Sequence, residues 1–245
     1  MSPISLGMEM VAPKIFVNPD MSFEDREKAA RIVVEAQERI MDFYGGTIST
    51  PDILICSTYE CFSGLGGTCQ RGLQIGKSKI LLSPKGFATP ILAHELSHAE
   101  LRARMDAPLD GILGIPSVPT WFDEGLAVAV SDEPAHSEKI WEEIVAAKMA
   151  VPKIESLNSL KEWNKAAQQF GDVDYSMGVP GKLCVVYATA GHEVRKWYLR
   201  VGREGLLKLI DEVKSGEDFE RAFKSGCGFR GHETAQETRR KHARP

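Results

Sequence analysis

The stretch TPILAHELSHAEL, residues 89 to 101, restricts this chain more than any other. On an α-helix His94 and His98 stand about 40° apart in azimuth and roughly 6 Å apart along the axis, so both imidazoles leave one face and can bite one ion. Histidine is a mediocre helix former and is costly to bury without partners, so a plain structural helix gains nothing from the pair. Glu95 is turned about 100° from His94. It therefore stays off the ion yet within reach of a water beside it, which is the H-E-x-x-H arrangement of two ligands and one general base. Thr89 as N-cap and Pro90 at the first helical position predict a clean start, and the pattern runs to about Met105.

A catalytic zinc takes three protein ligands and keeps a fourth position open. PTWFDEGLAV supplies Glu124, 26 residues after His98, on a helix that Thr120 and Asp123 predict through a capping box. Gly125 and Ala127 are small enough to let this helix approach the first. Trp121, Phe122, Leu126 and Val128 make it a packed helix, in which an inward carboxylate needs a partner, whereas Asp123 reads as a solvated charge. Asp132, two turns further on, is spaced to hold a ligand histidine, although an exposed aspartate is its ordinary reading.

Around these segments, 245 residues suffice for one large domain or two packed subdomains with a substantial core. KIFVNP, PDILICST and SKILLSP read as strands and residues 22 to 43 as a helix begun by Ser22 and Asp25. Residues 61 to 72 read as a glycine-rich loop, residues 106 to 119 as an irregular crossover, and the remainder as mostly helical. Strands early and helices late predict an α+β fold. The division expected is an N-terminal α+β subdomain over 1–108, a helical subdomain over 109–230 and a basic tail over 231–245.

The net charge of -4 gives no electrostatic reason to expect nucleic acid or a membrane surface as partner. No apolar run approaches the roughly 18 residues of a membrane span. MSPISLGMEMVAP lacks the basic and apolar regions of a secretory signal, so the default expectation is a soluble, cytoplasmic chain, a signal already removed aside. Cys56, Cys61, Cys69, Cys184 and Cys227 form no C-x-x-C pair; reduced, mostly buried thiols are the default, with a Cys61–Cys69 bridge as the alternative outside the cytosol. RGLQIGKSK superficially resembles a phosphate loop, but Arg71 stands where the first glycine is required, and a strand follows instead of a helix N-terminus.

AHELSHAE followed by PTWFDEGLA resembles the gluzincin metallopeptidases, the zincin clan that includes thermolysin and the zinc aminopeptidases, and most closely their small peptidase MA-like branch. The resemblance implies a zincin-like fold, zinc held by His94, His98 and Glu124, and Glu95 as the residue that activates water. YATAGHEVRKWYLRVG and GEDFERAF are similar to the helical tail of the same branch, so the likeness covers roughly residues 14 to 228. In that clan a tyrosine or histidine donates to the oxyanion; Tyr187 is the candidate here, since a phenol remains a donor at neutral pH, with Tyr175 and His192 in reserve. No segment of the G-A-M-E-N type is present to grip a free amine, which leaves aminopeptidase specificity unsupported. SKILLSP lies where zincins place the strand that pairs with extended substrate.

The expectation is a zinc metallopeptidase acting on peptide or protein substrates. The alternative is a zinc-stabilised regulatory or scaffold module without catalysis, against which an intact Glu95 argues.

Overall fold

The most apolar strand, Lys79–Leu82, has Ile80, Leu81 and Leu82 fully buried, so both of its faces must be covered and both of its edges paired. In the computed structural model it is β5 of a five-stranded mixed sheet ordered β1-β2-β3-β5-β4. The strands are β1 (Glu9–Ala12), β2 (Ile15–Val17), β3 (Asp52–Ile55), β4 (Gly72–Ile75) and β5. β2, β3 and β5 run parallel, and β1 and β4 are added antiparallel at the two edges. The structure describes residues 2–75, 78–107, 115–171, 173–174, 179–180 and 184–226.

This order corrects two expectations. The strand over SKILLSP lies inside the sheet, and the edge on that side, unpaired among the described residues, belongs to β4, whose four residues are only half-buried. The segment 61–72 is not simply a loop: it holds most of the short helix α2 (Tyr59–Gly64) and the first residue of β4. Thr58 caps α2 by accepting from the Cys61 N–H. Cys61 is thereby brought back over the end of β3, its Cα 5.6 Å from that of Cys56, and the two form a disulfide. Neither all-reduced thiols nor a Cys61–Cys69 bridge describes the chain, since Cys69 is free and exposed. Cys227 lies outside the described residues.

Strand alternation sorts the core into two layers. Ile15, Val17, Ile53, Ile55, Ile80 and Leu82 face α1 (Phe23–Tyr44) and α3 (Thr89–Arg104), whereas Phe16, Leu54 and Leu81 meet Met8, Phe62 and the half-buried Leu73 and Ile75. Ser22 caps α1 as expected, accepting from the Asp25 N–H at 3.1 Å. The start of α3 differs from expectation. Ala88 is the N-cap, Pro90 sits in the first turn, and the Thr89 hydroxyl instead donates to Glu35 on α1 at 2.7 Å.

The rest of the described chain is mainly helical: α4 (Thr120–Ser131), α5 (Glu138–Ala146), α6 (Leu160–Phe170), α7 (Val185–Lys214, broken at Gly202) and α8 (Phe219–Gly226). A two-stranded ribbon, β6 (Val173–Asp174) and β7 (Val179–Pro180), lies between α6 and α7. The fold is therefore α+β, with a small mixed sheet and a mostly helical remainder. One buried apolar cluster draws on residues from Ile15 to Ala222 and so spans both expected subdomains. The boundary near residue 108 and the basic tail fall outside the described residues. No helix among those described is long and apolar enough to cross a membrane.

Candidate metal centre

Every residue of α3 from Ile91 to Arg102 is buried except His94, Glu95 and His98. The helix is packed around its whole girth apart from the one stripe that carries these three side chains. Polar anchors fix its rotation. Ser97 meets the Tyr44 hydroxyl at 3.0 Å, and the fully buried Glu100 carboxylate accepts from the backbone of Ile48 and Ser49 and from Arg104. With Glu100 held on the far side and Ser97 on the flank, the stripe has one direction in which to point.

α4 brings the third group. Its Trp121 and Phe122 sit among Trp197 of α7 and Phe219 and Phe223 of α8, with ring centroids 5.0 to 6.0 Å apart. The first N–H groups of α4 are satisfied by the carbonyls of Asn158 and Leu157, at 3.0 Å each, not by the expected capping box. Gly125 is required for close approach, though to α7 and not to α3: a Cβ there would lie 2.5 Å from Val194 Cγ2 and 2.7 Å from the Ala190 carbonyl oxygen. α4 is thus pressed onto α7, and Glu124 faces the α3 stripe.

The three predicted ligands converge. His94 Nε2 and His98 Nε2 are 3.1 Å apart, and Glu124 Oε2 lies 3.4 Å from the first and 3.7 Å from the second. A tetrahedral ion with bonds of about 2.1 Å holds its ligand atoms about 3.4 Å apart, so three corners are already in place. Glu124 Oε2 is buried and has no hydrogen-bond partner, a state that a bound cation relieves. His94, His98 and Glu124 are the one group of this kind among the described residues, and nothing in it fixes which metal it would take.

Asp123, expected to be solvated, is buried and accepts from His98 Nδ1 at 2.6 Å. Burial opposes charge on His98, but the Asp123 carboxylate and its hydrogen bond, with help from Glu124 and Glu95, raise the imidazole to about 10. Burial likewise opposes ionisation of Asp123, and His98 more than offsets it, so the aspartate stays below the ordinary carboxylate range. The hydrogen bond at Nδ1 orients the ring so that Nε2 faces the ion site, where a metal would displace its proton and take the lone pair. Asp132 does not have this role; it ends α4 in a left-handed conformation and is exposed.

Glu95 is pushed above the usual carboxylate range, chiefly by burial and further by Glu124, against the pull of His94, His98 and Arg71. Its side chain lies against β4, where a Cβ on Gly72 would be 2.8 Å from both Cγ and Oε1. Tyr187 enters beside the centre, its ring 6.4 Å from that of His94, stacked on His136 at 4.8 Å and met edge-on by Trp163 at 4.9 Å. His192, about 140° further round α7, instead pairs with Glu138 and stacks on Trp141. Tyr175 lies outside the described residues.

Sequence reasoning missed Asp123, Gly72, His136 and the Arg71–Glu133 pair. Burial lowers His136 to about 4, with His94 and Arg71 adding to the effect against Glu133 and Glu124, so its imidazole is neutral. Adjacency to Glu124 was a usable signal for Asp123. None existed for Arg71, Glu133 and His136, which the tertiary fold alone brings together.

No family model, curated protein or solved structure matches this chain. Its function is therefore argued from the site.

Proposed function

We propose that the protein is a zinc-dependent peptidase of the gluzincin type with a zincin-like fold, in which His94, His98 and Glu124 hold the metal. The observation that carries this reading is the placement of a half-buried general base, Glu95, beside three convergent ligand atoms, one of them an orphaned carboxylate oxygen. A site that only stabilised the fold would need the ligands and not the base. When bound, zinc supplies Lewis acidity and lowers the pKa of a water to about 7. Glu95 accepts a proton from the attacking water and returns it to the departing amine. A carboxylate raised above its ordinary range is suited to carrying that proton in both directions. Tyr187, with the neutral His136 stacked on it, lines the side of His94 where a donor to the carbonyl oxygen is needed.

The H-E-x-x-H stripe next to an antiparallel edge strand also supports the zincin-like assignment. The Cys56–Cys61 bridge favours work in an oxidising compartment over the cytoplasmic default. The test is elemental analysis with cleavage assays on a peptide library. About one zinc per chain, lost in Glu124→Ala, and cleavage abolished in Glu95→Gln with zinc retained, are the expected results. A zinc-loaded protein that cuts no peptide favours the non-catalytic module.

A further inference from the structure

The residue before β4 is tied to the segment that follows α4. Arg71, immediately before Gly72, makes a two-pronged ion pair with Glu133, which follows the end of α4; its Nη2 donates to Oε2 at 2.9 Å, and Nη1 pairs with Oε1. The Glu133 side chain is 9% exposed and that of Arg71 is 25% exposed, so the carboxylate is the more deeply buried partner. Two of the five guanidinium N–H groups are spent on Glu133, which leaves three to donate. The backbone is fixed too: the Arg71 carbonyl accepts from both the N–H and the hydroxyl of Ser83 at 2.9 Å.

A second unsatisfied group lies on the same strand. Gln74 shares a strand face with Gly72, and its Oε1 is buried without a partner. It is an acceptor waiting for an N–H, on the side of Gly72 away from Arg71. Glu95 and the Gln74 acceptor thus lie on one face of β4, and Arg71 precedes the strand at its Gly72 end.

Orientation follows from the strand. A peptide added to the open edge of β4 in the more stable antiparallel sense runs from the Ile75 end toward Gly72. Glu95 is level with Gly72, so residues before the scissile bond lie along β4 and the leaving residues pass Gly72 and meet Arg71. The Arg71 charge acts on both Glu95 and His136, so the guanidinium stands close to the centre, and at about 3.3 Å per extended residue there is room for only one or two residues between them.

We infer that the Arg71–Glu133 pair closes the carboxyl-terminal end of the cleft, and that Arg71 binds the free C-terminal carboxylate of the substrate, so that the enzyme trims one or two residues from the carboxyl ends of peptides. This rests on the hydrolase reading above. In the reaction the amide C–N bond breaks, water oxygen joins the carbonyl carbon, and the products are a new carboxylate and an ammonium group. Glu133 holds the guanidinium in place before substrate arrives, which spares the rotamer entropy of a free arginine.

The test uses N-acetylated random octapeptides, made once as free acids and once as C-terminal amides, with mass spectrometry as the readout. The zinc-loaded chain is expected to remove one or two residues from the acids and to act on the amides about tenfold to hundredfold more slowly, the worth of a charge-assisted bond. Arg71→Met, made together with Glu133→Gln so that no buried carboxylate is left unpaired, removes the difference and Arg71→Lys keeps part of it, both with zinc content at the parent value. Equal rates on acids and amides, cuts scattered along the peptides, or a preference that survives Arg71→Met overturns the inference. Binding of the same two libraries to Glu95→Gln separates the two readings. Acids bound over amides without turnover in the parent sink the hydrolase and keep the Arg71 site; turnover without any such preference does the reverse.

Discussion

Asp123 Oδ1 lies 2.6 Å from His98 Nδ1, and this contact fixes the tautomer and rotation of one metal ligand. Asp123 and Glu124 are neighbours on α4, so one turn of one helix supplies both a ligand and the group that orients another. Asp123→Ala is expected to weaken zinc binding by about 10- to 100-fold, with Asp123→Asn between it and the parent. Competition against a chelator of known affinity measures this. An unchanged affinity in the alanine variant would remove Asp123 from the centre.

Gly72 shows how a residue that holds no metal can act on the chemistry. Any side chain there must displace Glu95, since the added Cβ would sit 2.8 Å from its Cγ and Oε1. A misplaced general base costs on the order of a hundredfold in rate. Gly72→Ala is therefore expected to lower peptide turnover by about that factor while zinc content stays at the parent value. Gly72→Val should be worse. A fully active alanine variant would mean that Glu95 is free to work from another position.

The metal ligands were legible because their signal is local. H-E-x-x-H fixes two ligands and a base through helical geometry alone, and Glu124 follows from its apolar helix and its distance downstream. The α+β class and most elements were legible for the same reason, through periodicity and caps. What could not be read was pairing across the chain. All four residues of β4, one of them a glycine, are half-buried, so no alternation marks it as a strand. Nothing local says that Gly125 serves α7 and not α3, or that Arg71 meets Glu133 across 62 residues. These contacts exist only once the sheet and the α4–α7 pair are in place.

The Cys56–Cys61 bridge closes a small loop that ties α2 to the end of β3. Chain-entropy reasoning gives a loop of this size about 2 kcal/mol of stabilisation. Cys61→Ser is expected to lose about that much in urea unfolding, and Cys69→Ser to lose almost nothing, because Cys69 is free and exposed. Peptide mapping without reductant should recover Cys56 joined to Cys61. Recovery of Cys61 joined to Cys69 would refute the pairing.

Tyr44 ties α1 to the ion-binding helix and predicts the alkaline limit of the fold. It is buried, and burial raises its phenol well above the ordinary value near 10, with Asp123 and Glu100 adding to the effect against Ser97 and Arg104. The unfolded chain releases this proton once the pH passes about 10, whereas the folded chain keeps it. The unfolded state then binds fewer protons, so stability is fully present below about pH 10 and falls as the pH rises toward the folded value. Tyr44→Phe cannot ionise and should lose this limb of the pH profile, although it leaves the Ser97 hydroxyl without its 3.0 Å partner and starts from a lower stability at neutral pH. Urea unfolding at intervals from pH 8 to about 11 checks both effects. Equal alkaline slopes in the parent and Tyr44→Phe would show that the phenol titrates as if exposed.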